Sequence, residues 1–282
     1  MGLTLSLISA FLYAFNVIIE KKYISYMSSE QILFLMYFGA GLGLYLLHLF
    51  SKKSKKIKSE KLTKKEMPKV ILIVICELVA SFLIIEALKN VNASLVSLLS
   101  IFELIMTSIC AYFLFNDPIE RDELIAIILV VVASIVLNFK EGIFSSVGLS
   151  SLFVIVACLC WGIENNITAL ISSKEPSFFT SIKCGAVSIL YLIIILIKGD
   201  FYISNCILIV IGFFTYGLSI LAYALSTKYL GASKATLVFS FSPIFGVILA
   251  ILIYGEKITH SFMLSLVLMI MAILFINNNE KK

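Results

Sequence analysis

The sequence predicts an all-α membrane protein, with ten transmembrane helices arranged as two inverted five-helix repeats. Three observations carry this expectation. First, the 282 residues are 61% hydrophobic and only 14% charged, and the mean hydropathy is +1.07. A water-soluble domain of this size needs more polar surface, so the apolar excess must meet lipid. Second, the apolar residues form long runs such as Ile71–Ile85 and Leu124–Leu137. Barrel strands show period-two alternation instead, and in hydrocarbon only helices or closed barrels satisfy every backbone group internally. Third, the two halves of the chain match each other in sequence.

Each span follows from apolar runs of about 20 residues set between loop signals. The ten are Gly2–Ile19, Gln31–Phe50, Lys69–Leu88, Ala93–Phe115, Glu123–Asn138, Leu149–Ile171, Phe178–Ile197, Ser204–Ser226, Ala232–Tyr254 and Ser261–Ile276. Asn90-Val91-Asn92 separates spans 3 and 4, Asn116-Asp117-Pro118 follows span 4, and Lys174-Glu175-Pro176 separates spans 6 and 7. Lys198-Gly199-Asp200 closes span 7, and Gly255-Glu256-Lys257 closes span 9. The connections are short apart from one basic loop, 51–68, and leave no room for a soluble domain. The N-terminus lacks the basic region and cleavage site of a signal peptide.

The net charge of +5 does not indicate a nucleic-acid partner. Nine of the 21 lysines lie between Lys52 and Lys69, and Arg121 is the single arginine, so the positive charge is one loop and not a groove. With ten spans, 15 Lys/Arg fall on the side of the termini and the basic loop, against six opposite. The positive-inside rule then places both termini in the cytoplasm of a multi-pass protein of the cytoplasmic (inner) membrane.

The repeat organises the chain into residues 1–140 and 147–279. A shift of 139 places Ala87-Leu-Lys89-Asn-Val-Asn-Ala93-Ser94 on Ser226-Thr-Lys228-Tyr-Leu-Gly-Ala232-Ser233, and Phe102, Ile105 and Asn138 on Phe241, Ile244 and Asn277. A shift of 148 places Tyr13-Ala-Phe-Asn16 on Trp161-Gly-Ile-Glu164. Five helices is an odd number, so the second repeat must cross the membrane upside down. Inverted repeats characterise secondary transporters, whose substrate sites lie at mid-membrane between the repeats.

The chain also resembles a known family. Cys160-Trp-Gly-Ile-Glu-Asn-Asn-Ile-Thr168 is similar to an opening segment of the EamA branch of the drug/metabolite transporter superfamily. Tyr216-Gly-Leu-Ser219, Lys228-Tyr-Leu-Gly-Ala-Ser233, Ser242-Pro243 and Tyr254-Gly-Glu256 follow in that family's order, and Ser97-Leu-Leu-Ser-Ile-Phe-Glu103 resembles its first half. Two places depart from the pattern: Asn116-Asp117 stands where Gly-Glu or Arg-Glu is common, and Tyr13-Ala14 where Trp-Gly is typical. The resemblance implies ten helices, two EamA repeats and movement of small metabolites. It does not name a substrate.

Ionisable groups in lipid are costly and mark functional sites. Glu77 and Glu103 fall near the centres of spans 3 and 4, and Glu164 about 6 Å past the middle of span 6 at ~1.5 Å per residue. Glu20 and Glu86 fall toward span ends, where a structural role is expected. Lys183 is the one intramembrane counter-charge and could bridge Glu77 in packing. Ala157, Trp161, Glu164 and Thr168 share a helical stripe, and Ser9, Tyr13, Asn16 and Glu20 are their repeat equivalents. Glu77 maps onto Tyr216.

The candidate substrate-binding residues are therefore Tyr13, Asn16, Glu77, Glu103, Trp161, Glu164, Asn165 and Tyr216. Carboxylates beside aromatic faces suit an amine-bearing or cationic molecule, such as an amino acid, an organic cation or a drug-like amine. Asn165 and Asn166 could equally hydrogen-bond between helices. Glu103 and Glu164 are the candidate proton carriers, because low dielectric disfavours their charged form. Pro243 is expected to kink span 9 as a hinge. Gly39, Gly41 and Gly43 favour close helix contact.

The six cysteines read as small apolar filler. No metal site or cofactor is expected, and the expected partners are a small-molecule substrate, the lipid bilayer and protons. The oligomeric state is left open. A polytopic membrane enzyme or a channel is the alternative. The sequence has no His-Glu-x-x-His, no Gly-x-Ser-x-Gly, no phosphate-binding Gly-x-x-x-x-Gly-Lys and no repeated pore filter.

Overall fold

A computed structural model describes residues 1–52, 63–115, 121–138, 146–171, 176–200, 202, 205–230, 235 and 238–279. The basic stretch 53–62, Asn116-Asp117-Pro118, Lys174-Glu175 and the segment 231–234 of the repeat comparison lie outside the described residues. Every regular element among the described residues is helical.

The helices are α1 (Gly2–Tyr23), α2 (Ser29–Lys52), α3 (Met67–Asn90), α4 (Ala93–Leu99), α5 (Phe102–Phe115), α6 (Arg121–Asn138), α7 (Ser146–Leu170), α8 (Pro176–Lys198), α9 (Ile207–Gly212), α10 (Leu218–Leu230), α11 (Ser242–Tyr254) and α12 (His260–Asn279). Among the described residues seven stretches are long and apolar enough to cross a bilayer: Gly2–Tyr23, Ser29–Phe50, Lys64–Asn90, Ala93–Leu114, Gly148–Leu170, Ser177–Lys198 and Ile207–Leu230. Ser242–Tyr254 and His260–Ala272 are shorter apolar helices.

The helix ends follow local chemistry. Thr63 and Glu66 form a capping box on the turn before α3, and Pro68 occupies the first turn, where its missing N–H is not needed. Gly255 ends α11 with φ 61°, a left-handed conformation that glycine adopts without a β-carbon penalty. At one end of the bundle the caps come from distant segments. The Glu256 carboxylate accepts the N–H groups of Ala93 (2.9 Å) and Ser94 (3.0 Å) at the start of α4. Lys21 Nζ donates to the carbonyls of Leu88 (2.5 Å) and Val91 (2.8 Å) at the end of α3. Orphan backbone groups that water would solvate in a soluble protein are satisfied here by side chains.

Two spans are interrupted. Span 4 breaks at Ser100–Ile101 between α4 and α5, and span 9 turns at Ser240–Phe241 before α11 begins. Pro243 stands in the first turn of α11, directly after this turn, where its missing N–H is not needed. Span 8 is continuous but carries a π-helical turn at Phe213–Gly217 between α9 and α10.

Packing pairs α1 with α10 and α11, α2 with α8 and α9, α3 with α7 and α8, α4 with α11, α5 with α7, and α6 with α12. Exchanging the two halves of the chain maps each of these pairs onto another of them or onto itself. Contacts between helices use small residues and hydroxyls, as expected where lipid removes the hydrophobic drive for association. Gly41 meets Gly185, where an added β-carbon would lie 2.9 Å from the Gly185 nitrogen, and Gly39 packs on the Ile209 carbonyl. Ser6 donates to the Ala235 carbonyl (2.7 Å), Ser226 to that of Gly2 (2.9 Å) and Ser265 to that of Ala133 (2.8 Å). The outer surface carries exposed Leu42, Ile71, Ile75, Ile128, Leu196 and Leu252, while Glu77, Glu164 and Lys183 are buried. Polar side chains inside and apolar ones outside is the arrangement of a protein whose surroundings are lipid.

Candidate functional site

A cavity of about 680 Å³ opens between α1, α3, α5, α7, α8 and α10. Tyr13, Glu77, Glu103, Trp161, Glu164, Asn165 and Tyr216 all line it. Helical spacing explains how. Trp161, Glu164, Asn165 and Thr168 share one face of α7, while Tyr216, Ser219, Ile220 and Tyr223 share one face across the π turn and α10.

Lys183 of α8 is the hub. Its ammonium bonds Glu77 Oε2 at 2.7 Å and Glu164 Oε1 at 2.5 Å, with all three groups buried. Glu77 Oε1 accepts from the phenols of Tyr37 and Tyr216, whose oxygens lie 2.8 Å apart. Tyr216 is carried by the π turn Phe213–Gly217, and such turns are frequent at functional sites. Glu164 is less complete: its Oε2 is buried and has no hydrogen-bond partner among the described residues. Glu103, in the first turn of α5, accepts from the neutral amide of Asn165 at 2.9 Å. Asn166 bonds the carbonyls of Thr107 (2.9 Å) and Gly162 (2.8 Å) and so ties α7 to α5. If all three lining glutamates are ionised, the described lining carries two more negative charges than positive ones.

One side of the cavity is aromatic. Tyr13 meets Trp161 edge-on at a centroid distance of 5.9 Å and Phe239 at 5.6 Å, and Tyr223 meets Phe239 at 5.1 Å. Phe179, Tyr223 and Phe239 were not among the sequence candidates, and neither was Tyr37 behind Glu77. Phe239 could have been found as the repeat equivalent of Ser100, at the matching helix break. Tyr37 carries no repeat signal beyond its place beside the glycines of α2.

Two sequence candidates lie outside this cavity. Asn16 is buried, donates to Glu20 Oε1 (2.8 Å) and accepts from Thr215 Oγ1 (3.1 Å). Glu20, expected to be structural, is buried with it. Pro243, the expected hinge, lines a second pocket. Glu86 does bond structurally, to Ser29 (2.6 Å) and Lys89 (2.5 Å).

Comparison with known proteins gives a consistent result. The chain matches the EamA-like transporter family over residues 1–139 and again over 148–278. An uncharacterised transporter of Clostridium kluyveri is 24% identical over 258 residues, covering 86% of this chain and 82% of the relative. Another uncharacterised transporter, from Methanothermobacter thermautotrophicus, is 24% identical over 192 residues; the match covers 63% of this chain and spans about half the relative's length, 54%. A protein of solved crystal structure superposes with a TM-score of 0.72 over 97% of this chain and 94% of its own, at 10% identity. That likeness shows the fold alone. With two family matches that together cover nearly all of a helical, multi-pass membrane chain, the protein belongs to the EamA-like transporter family.

Proposed function

We propose that this protein is a secondary active transporter that carries an amine-bearing or cationic small molecule across the cytoplasmic membrane by alternating access. The observation that carries the reading is the cavity itself. In its described lining three carboxylates face one ammonium, one buried oxygen of Glu164 has no partner, and an aromatic wall stands opposite. A ligand ammonium would take up the unpartnered Glu164 oxygen and the Glu103 carboxylate, while Trp161 and Tyr13 present ring faces or edges to it.

Ten spans in two inverted repeats, residues 1–140 and 147–279, would give the two halves that rock about such a site. The exchange of helix pairs between halves, and the matching breaks in spans 4 and 9, support that arrangement. The lysine asymmetry supports cytoplasmic termini.

Coupling to protons belongs to Glu103 and Glu164. The described partner of Glu103 is a neutral amide, so a bound proton or a bound cation can neutralise the carboxylate. The two then compete for one group, and competition suffices for antiport if only the neutralised site reorients. Glu164 is held by Lys183, which makes Glu103 the stronger carrier. The test is uptake of a radiolabelled amine into proteoliposomes under an imposed pH gradient. Wild-type flux should follow the gradient, and Glu103→Gln should lose that dependence while keeping amine exchange. Flux that ignores the gradient in the wild type rejects proton coupling.

A further inference from the structure

We propose that the second pocket is a sodium site that shares Glu103 with the substrate cavity. This pocket, of about 450 Å³, sits where both interrupted spans meet α1. Apart from the Tyr13 phenol, its polar lining is one carboxylate, Glu103, and four serines: Ser97 and Ser100 at the break in span 4, Ser240 and Ser242 at the break in span 9. Tyr13, Glu103 and Phe239 line both this pocket and the large cavity, so the two adjoin at these residues.

Two independent observations point to a ligand there. Ser97 is 3% exposed, and its Oγ is buried without a hydrogen-bond partner among the described residues. A buried polar atom normally has one. Its Oγ and Cβ lie beside Gly246 on α11, the Cβ 2.6 Å from where a β-carbon there would stand and the Oγ closer still, so only a glycine leaves the hydroxyl room. Second, Glu103 faces the pocket with a neutral amide as its described partner. A water molecule would satisfy the serine, but the carboxylate's charge calls for a cation whenever the proton proposed above is absent.

The donor set identifies the ion class. Oxygen donors select hard cations, and soft transition metals want imidazole or thiolate. Among the described residues no group of three or more His, Cys, Asp or Glu could hold a metal. One carboxylate with hydroxyls balances one positive charge, whereas calcium sites recruit several carboxylates. Ser100 donates to the Val96 carbonyl at 2.9 Å, which leaves its lone pairs for an ion. The ion would also join the ends of the two broken spans, linking its occupancy to their relative position.

The proposal rests on the transport reading only for its role in coupling; binding can be measured alone. The experiment is thermal unfolding of purified protein in detergent, without substrate, in sodium chloride against equimolar potassium chloride, with ²²Na binding in parallel. Sodium should raise Tm saturably. Ser97→Ala should raise the half-saturating concentration about tenfold, the loss expected for one buried polar partner. Glu103→Gln should abolish the response while unfolding no earlier than wild type in potassium chloride, since it removes a charge that no sodium ion offsets there. A sodium response no greater than potassium's overturns the site, and so does an undiminished response in both variants. Either result leaves amine transport driven by protons untouched, and a sodium-responsive protein that moves no amine would reject the transport reading alone.

Discussion

Replacing Lys183 by Met removes the one ammonium from among two buried carboxylates. Nζ sits 2.7 Å from Glu77 Oε2 and 2.5 Å from Glu164 Oε1. At an effective dielectric of ~20, Coulomb's law gives roughly 6–7 kcal/mol of attraction for each contact, an upper bound before desolvation is subtracted. Breaking a buried pair by removing one partner costs about 3–5 kcal/mol, because a charge is left behind. The two carboxylates will not suffer equally. Glu77 keeps the phenols of Tyr37 and Tyr216, while the second oxygen of Glu164 is already unpartnered among the described residues. Most of the loss should therefore be recovered by adding Glu164→Gln, and less by adding Glu77→Gln. The assay is thermal or chemical unfolding in detergent of the single and double variants, read as a double-mutant cycle. The expected loss for Lys183→Met corresponds to a drop in Tm of roughly 10 °C. A Lys183→Met variant within about 1 kcal/mol of wild type would refute the description of Lys183 as the hub, and equal rescue by the two glutamines would refute the unequal loss argued for the two carboxylates.

Trp161→Ala should weaken binding of an amine substrate by ~1–2 kcal/mol, measured by calorimetry, if the ring faces the cation; unchanged affinity would make Trp161 a packing residue. Glu256→Ala should cost about 1–2 kcal/mol of stability by uncapping α4, with unfolding midpoints as the readout. Loss below about 0.3 kcal/mol would mean that water replaces the carboxylate at once. A cysteine introduced at Ser54 should resist an impermeant reagent added to intact cells, given the lysine excess on that side; labelling there would invert the orientation.

The parts of the fold legible in the sequence were those written in hydropathy. Span 3, read as Lys69–Leu88, is the helix Met67–Asn90, and span 7, read as Phe178–Ile197, is Pro176–Lys198. Spacing on a single helix was a partial guide: of the Ala157, Trp161, Glu164, Thr168 stripe the last three line the cavity, and of its counterpart on α1 Ser9 and Tyr13 do. Interruptions were not legible. Nothing between Val96 and Glu103 is Gly or Pro, so the break at Ser100–Ile101 has no conventional breaker. Serine competes for backbone bonds, and Ser100 does so by donating to Val96. Pro243 was a partial guide: a proline inside an apolar run reads as a kink, and the chain does turn at Ser240–Phe241, just before the helix whose first turn Pro243 occupies.

Repeat arithmetic had a different kind of limit. It places equivalent residues at equivalent depths, but it does not say what neighbours claim them. Asn16 and Glu164 occupy matching positions on α1 and α7. Glu164 meets Lys183 of α8, and α3 packs against both of their helices, whereas Asn16 meets Glu20 one turn along and Thr215 on the π turn. The asymmetry has a functional consequence. A perfectly two-fold site would offer the same charge to both faces of the membrane, with no preference for the state in which a carboxylate is filled. Concentrating Glu77, Glu164 and Lys183 on one side, and leaving Glu103 with a neutral partner on the other, divides the site into a fixed ion-paired part and a part open to neutralisation. Under the proposed reading, a proton or cation reaching the site would be drawn first to Glu103, whose described partner is a neutral amide. Under the proposed mechanism that residue alone has to change state during a cycle, and the ion-paired cluster can stay intact while the halves move around it.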